Sequence, residues 1–329
     1  MRIGIKLAVL VGWMFLGCAL SAFAQQKGQW VPGQFGLNAG VIPDPGFTYA
    51  NLALNYSASQ LNNSGGNSIP GINGTYSFWV DENIIYYVPK HKFLGGYFMP
   101  YVALNYASGE VVANITGTNL STGGGGSGFA DMYVQPLNLG WHLKRTDFNV
   151  GYAFSAPTGR FTQGASDNVG SGYWGNNITS GTTFYITKNK ATSANLTTDW
   201  EIHGQKSGTN ITPGQAFTIE WGLGQILPLK KDFSRLLQLG FVGYDQWQVS
   251  HSSGSLGPGI PEFSIPFYSV HAIGVQADFI LPAKNLSAFF KYYDEYHAIA
   301  RPQGRTIVFG FSWTLRIPKP EPPPPATKP

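Results

Sequence analysis

The chain has 329 residues, of which 12% are charged and 15% aromatic, and its formal net charge is +4 at pH 7. A soluble globular domain carries about 25% charged residues, so this composition argues against a surface bathed in water. With 21 basic residues against 17 acidic ones, no nucleic-acid partner is expected.

Arg2 and Lys6 precede an apolar run from Leu7 to Leu20, and Ala22-Phe23-Ala24 offers small residues at the positions a signal peptidase reads. This predicts a signal peptide over residues 1–24, cut after Ala24. The run is short for a spanning helix, which needs roughly 20 apolar residues. The sole cysteine, Cys18, lies inside it, so disulfide chemistry is not expected after cleavage. Residues 25–47 are rich in Gly and Pro and poorly periodic. They are expected to form an extended N-terminal segment, a plug or a periplasmic lead-in, with a short strand at Gln34–Val41 as the alternative.

Regular alternation begins at Thr48–Leu61, where Ala50, Leu52, Leu54 and Tyr56 alternate with Asn51, Ala53 and Asn55. Period-2 alternation is the signature of a strand whose two faces meet different surroundings. Thr75–Val88 sets Tyr76, Phe78 and Val80 against Ser77, Trp79 and Asp81. Phe93–Val112 follows, with a break expected at Pro100, which cannot donate to a ladder. Ala113–Gly128, with its four consecutive glycines, reads as a loop. Phe129–Phe161 is a hairpin closed by Lys144-Arg145-Thr146-Asp147. Its second arm alternates Phe148, Val150, Tyr152 and Phe154 with Asn149, Gly151 and Ala153. Further strands are read at Thr182–Thr187, Ala194–Ile202, Phe217–Leu223, Leu237–Val249, His271–Phe279, Leu286–Ile299 and Ile307–Leu315.

About twelve strands result, and their connections alternate. Short turns hold Lys90, Lys144, Lys188, Lys230 and Lys284, while long Gly/Ser/Asn-rich loops fall near 62–73, 113–128, 158–174, 204–215 and 250–266. Bacterial outer-membrane barrels have even strand numbers, short periplasmic turns and long outer loops. The reading is therefore an all-β fold: a single-chain antiparallel transmembrane β-barrel over residues 48–317, with both chain ends on the short-turn side. In hydrocarbon every backbone N–H and C=O needs a partner within the protein, and only a closed sheet supplies them all. The apolar face of each strand is expected to meet outer-membrane lipid and the small polar face to line the lumen. Inward candidates are Trp79, Asp81, Tyr101, Asp199, Glu201, Glu220, Tyr244, Asp278, Lys291 and Tyr293, with Phe289. Aromatics set among polar groups suit a small hydrophobic or aromatic solute. Residues 318–329, within IPKPEPPPPATKP, form a Pro-rich tail of polyproline type.

No Gly-x-Ser-x-Gly elbow occurs. His91, His142, His203, His251, His271 and His297 are scattered, with no His-Glu-x-x-His spacing. No catalytic, metal or cofactor site is expected. The expected function is uptake of small hydrophobic or aromatic compounds through a barrel channel. The alternatives are a structural or adhesive barrel binding a partner through its long loops, and a lipase- or protease-type barrel.

Three stretches carry a resemblance: Gly33–Tyr56, Phe129-Ala130-Asp131 through Pro157-Thr158-Gly159, and Tyr292–Phe311. They resemble the family of outer-membrane proteins named for the meta-pathway of phenol degradation. The resemblance implies an outer-membrane barrel, possible uptake of hydrophobic or aromatic compounds, and no established catalytic residues. Many outer-membrane barrels end on an aromatic residue read by the assembly machinery. Here the chain continues past Trp313 and Leu315 into the tail, so that recognition would be internal.

Overall fold

The computed structural model describes residues 29–118, 121–257, 260–261 and 266–316. The expected signal peptide and Pro-rich tail lie outside the described residues. Twelve antiparallel strands form one closed sheet. In chain order they are β1 (Gly46–Leu61), β2 (Ile72–Val88), β3 (Tyr97–Phe98, continuing as Tyr101–Ile115) and β4 (Ser121–Phe129, continuing as Met132–His142). β5 (Thr146–Ala156), β6 (Gly175–Tyr185), β7 (Thr192–His203) and β8 (Ala216–Pro228) follow. The last four are β9 (Leu236–Gln248), β10 (Ser269–Leu281), β11 (Leu286–Ile299) and β12 (Pro302–Arg316). β1 pairs with β12 from Gly46↔Arg316 to Leu61↔Pro302, which closes the barrel and leaves no free edge there.

β3 breaks at Met99-Pro100, where the proline removes a ladder donor. β4 departs from the expected loop over Ala113–Gly128. Its upper arm, Ser121–Phe129, forms a ladder with β3, including Val111↔Gly124 and Glu110↔Gly125. Four glycines offer no side-chain alternation, so this strand is held by backbone bonding to its neighbour alone.

The outward residues of most strands are large and apolar, as lipid requires. Phe241 is 63% exposed, Phe309 47% and Trp313 46%. β1 and β2 depart from the expected facing. Leu52, Leu54 and Tyr56 are buried inside, and Tyr76, Phe78 and Val80 share the inner side of β2 with Glu82. Asn51, Asn55 and Asp81 occupy the outer face instead. The physical reason lies in the lumen, where the inner faces of β1 and β2 pack into an interior apolar cluster with Leu37, Val242 and Tyr293.

The wall parts locally between β4 and β5. β5 pairs with β4 only below Met132↔Ala156, so the upper arm of β4 has no strand on its second side. The loop between β5 and β6 folds in here, and Asp131, at the break in β4, holds it. One carboxylate oxygen accepts from the Gly159 N–H at 3.0 Å. The other accepts from the Ser171 N–H at 2.8 Å and from the Ser171 hydroxyl. The Met132 N–H also donates to Thr158 Oγ1 at 3.0 Å. Charge-assisted bonds to backbone are among the stronger ones, and losing such an acceptor costs ~1–3 kcal/mol. Asp131→Ala is therefore expected to release this loop while leaving the barrel folded. Limited proteolysis should then cut between residues 158 and 171 in the variant and not in the wild type.

Candidate functional site

Residues 29–43 form a strap that threads the lumen from end to end. Gln29 lies at the long-loop end, where its side chain donates to Ser171 Oγ and, at 3.0 Å, to the Tyr173 carbonyl. Gly40 lies near the short-turn end, its N–H donating to Thr183 Oγ1 at 2.9 Å. The strands thus begin and end at the short-turn end as expected, with Gly46 beside Arg316. The described N-terminal segment, however, reaches the opposite end.

An extended segment with no ladder of its own must satisfy its backbone groups through side chains. The inward polar residues of β7 to β11 do this. Glu201 accepts from the N–H groups of Gln29 (2.5 Å) and Trp30 (3.0 Å). Glu220 accepts from Trp30 Nε1 at 3.0 Å and from the Phe35 N–H at 2.7 Å. Lys291 donates to the carbonyls of Gly33, Gln34 and Phe35. Tyr293 Oη donates to the Phe35 carbonyl at 3.3 Å. Lower down, the Leu37 N–H donates to Gln276 Oε1 at 3.2 Å, and the Asn38 N–H to Asn195 Oδ1 at 3.0 Å.

Packing adds to this. Trp30 is 7% exposed, stacks on Phe35 with ring centres 5.5 Å apart, and meets Tyr133 edge-on at 6.0 Å. Close approach is possible because the wall carries glycines where the strap passes. A Cβ at Gly181 would sit 2.1 Å from the Ala39 carbonyl oxygen. Gly36 has φ +127, a conformation that favours glycine.

The inward candidates fall into three groups. Glu201, Glu220, Lys291 and Tyr293 hold the strap. Asp199, Tyr244 and Asp278 are buried in side-chain networks of the wall. Asn177 donates to both oxygens of Asp199 at 2.9 and 3.1 Å, and Gln276 donates to Asp278 at 2.8 Å. Tyr244 and Tyr56 donate to Glu295 at 3.0 and 2.8 Å. Arg301, in the turn above, closes this network. Burial opposes its charge, but Glu295 at 3.8 Å, with Tyr56 and Tyr244, holds its pKa above the usual range. Tyr101 is half-buried on the inner face, stacked on Tyr133 at 5.7 Å. Phe289 packs in the interior against the buried cluster of β1, β9, β10, β11 and β12.

Trp79 and Asp81 lie elsewhere. Trp79 is 50% exposed on the outer wall, and Asp81 is exposed there too, accepting from Asn51 Nδ2 at 2.6 Å. They belong to the lipid-facing side, not the lumen. Strand parity explains the exchange: moving the inner face by one residue sends every side chain of a strand to the other side. β2 pairs Tyr86 with Tyr101, which sets the even-numbered residues inward. Glu82 is thereby the inward carboxylate of β2, a position the alternation alone does not single out.

Between the strap and the β1–β4 wall lies a cavity of about 1300 Å³. It runs from Phe161, Gly124 and Ile211 at the long-loop end to Pro43 and Met99 at the short-turn end. Its middle is bounded by Trp30, Phe35, Leu52, Phe78, Tyr86 and Tyr101. The walls of this cavity are mostly apolar and rich in aromatic rings. Among the described residues, no group of three or more His, Cys, Asp or Glu side chains could hold a metal ion.

Comparison with solved structures places the architecture. The COG4313 outer membrane channel from Pseudomonas putida F1 superposes with a TM-score of 0.67 at 14% identity, over 87% of this chain and 100% of that one. The β domain of the Bordetella autotransporter BrkA gives 0.49 at 12% identity, over 83% of this chain and 100% of that one. The first likeness establishes a shared outer-membrane barrel fold. No curated protein sequence matches the chain. The family model described as "Putative MetA-pathway of phenol degradation" matches residues 58–311, and the chain belongs to that family.

Proposed function

We propose that this protein is an outer-membrane channel for the uptake of small hydrophobic or aromatic compounds. The observation that carries this reading is the apolar passage beside the strap, which extends along the lumen and is lined by aromatic rings. Ligand sites of this kind are mostly apolar with a few placed polar groups. The family's description concerns phenol degradation, and the superposed Pseudomonas protein is a channel; both agree with a transport role. Outer-membrane lipid covers the outward apolar band, and the outer-membrane assembly machinery inserts the barrel. Residues 25–47 act as a plug that narrows the lumen without sealing it, and residues 1–24 as the export signal.

The test is permeation in proteoliposomes. Toluene trapped by an enzyme inside the vesicle should accumulate faster with the protein than without it, while a hydrophilic sugar of similar size should show little acceleration. Rapid sugar entry with no gain for toluene would point to a general porin and overturn the proposal.

A further inference from the structure

Most inward polar groups of this barrel are spoken for by the strap or by each other. Glu82 is a charged exception, beside the neutral Asn138 Oδ1 and Thr197 Oγ1, which are also buried without a partner along the cavity. It is 6% exposed, it borders the cavity, and its carboxylate makes no hydrogen bond with any described residue. Directly across the ladder, Glu82 faces Asn105. Asn105 also lines the cavity, and its Oδ1 is buried without a partner. Its amide nitrogen is engaged with the Asp131 carbonyl at 3.0 Å, which turns the oxygen to the remaining side. Directly opposed residues on paired strands bring their Cβ atoms to about 5 Å. Two hydrogen-bond acceptors thus face each other across the ladder beside the aromatic cavity, and among the described residues no donor answers them.

The geometry points to a built binding site at Glu82 and Asn105 for an aromatic solute carrying a hydrogen-bond donor, of which a phenolic hydroxyl is the model. The ring lies among Leu52, Phe78, Tyr86 and Tyr101, and the hydroxyl donates to the Glu82 carboxyl, with Asn105 Oδ1 as a second acceptor. Either protonation state of Glu82 leaves an acceptor oxygen, so the site does not depend on its charge. A buried acceptor left unmade is costly, so a site of this kind prefers a ligand that supplies the missing donor over an isostere that lacks it. This deepens the channel reading, on which it rests only in taking the cavity as open to solutes.

The experiment compares phenol with toluene, its methyl isostere. Wild-type protein in lipid nanodiscs is dialysed to equilibrium against each radiolabelled compound, with empty nanodiscs subtracted for partition into lipid. The expected result is a preference for phenol that Glu82→Leu abolishes, with phenol binding about tenfold weaker and toluene binding unchanged or tighter. Glu82→Gln, which keeps an acceptor oxygen, should keep the preference. Retained mobility shift on heating in gels checks that each variant is a folded barrel. Should Glu82→Leu fail that check, Asn105→Leu stands in, with a smaller loss of phenol binding expected. A wild type that holds both compounds equally, or a folded Glu82→Leu that still prefers phenol, overturns the site. The two readings fail separately. A phenol preference without toluene permeation in proteoliposomes refutes the channel and spares the site, and permeation without any preference does the reverse.

Discussion

Replacing Glu220 by Leu is expected to unseat the strap and to cost the barrel about 3–5 kcal/mol, the range for removing one member of a buried charged set. Glu220 is 1% exposed and accepts from both Trp30 Nε1 and the Phe35 N–H. Leucine would leave both donors buried without acceptors. It would also leave Lys291, 3% exposed and aimed at the Gly33, Gln34 and Phe35 carbonyls, with only Asp278 of its two nearby carboxylates. The two effects act on four residues of the strap, Trp30, Gly33, Gln34 and Phe35, and meet at Phe35. Hydrogen exchange at Trp30 and Phe35 should therefore rise far more than exchange in β5 or β12. Urea titration followed by gel mobility reports the global loss. Uniform protection across strap and barrel would show that the strap is held by packing alone.

Trp30→Ala carries an effect of similar size by another route. The indole is buried, stacked on Phe35 and edge-on to Tyr133. Truncating a buried tryptophan to alanine costs about 3–5 kcal/mol through lost transfer energy and the void left behind. Here the void would adjoin the existing passage, because Trp30 is part of its lining. The variant should be less stable yet more conductive in planar bilayers, since the cavity that Trp30 lines gains room. Lower stability with unchanged conductance would place the constriction elsewhere along the strap.

How much of this was legible in the sequence depends on what each strand faces. β5 and β12 alternate cleanly because one side meets lipid and the other meets polar or small groups. In β12, Ile307, Phe309, Phe311 and Trp313 point outward, and Val308, 0% exposed, points in. β1 and β2 do not alternate in that way, because their inner faces border an apolar passage while Asn51 and Asp81 sit outside. With apolar groups on both faces, hydrophobicity alone does not fix the parity, and it does not tell that Phe78 and Glu82 rather than Trp79 and Asp81 face inward. The upper arm of β4 was hidden for a simpler reason: glycines have no side chain to alternate. The inward set of acids and lysine could be found from its place on polar faces. Its partners could not, since Glu201 and Glu220 bind backbone N–H groups of the strap, and every residue but proline has one. The Phe129-Ala130-Asp131 and Pro157-Thr158-Gly159 stretches stand out in the chain, and their meeting at the Asp131 carboxylate gives that pattern a physical role.

Solutes are expected to travel through the space between the strap and the β1–β4 wall. Ala107 lines that space from β3, on the face opposite the outward Tyr106. Ala107→Trp would fill it without touching the strap contacts of Glu201, Glu220 or Lys291. Toluene uptake by proteoliposomes carrying this folded variant is the direct measurement. Uptake reduced to the level of protein-free vesicles is the predicted result, and uptake equal to that of the wild type would contradict the account.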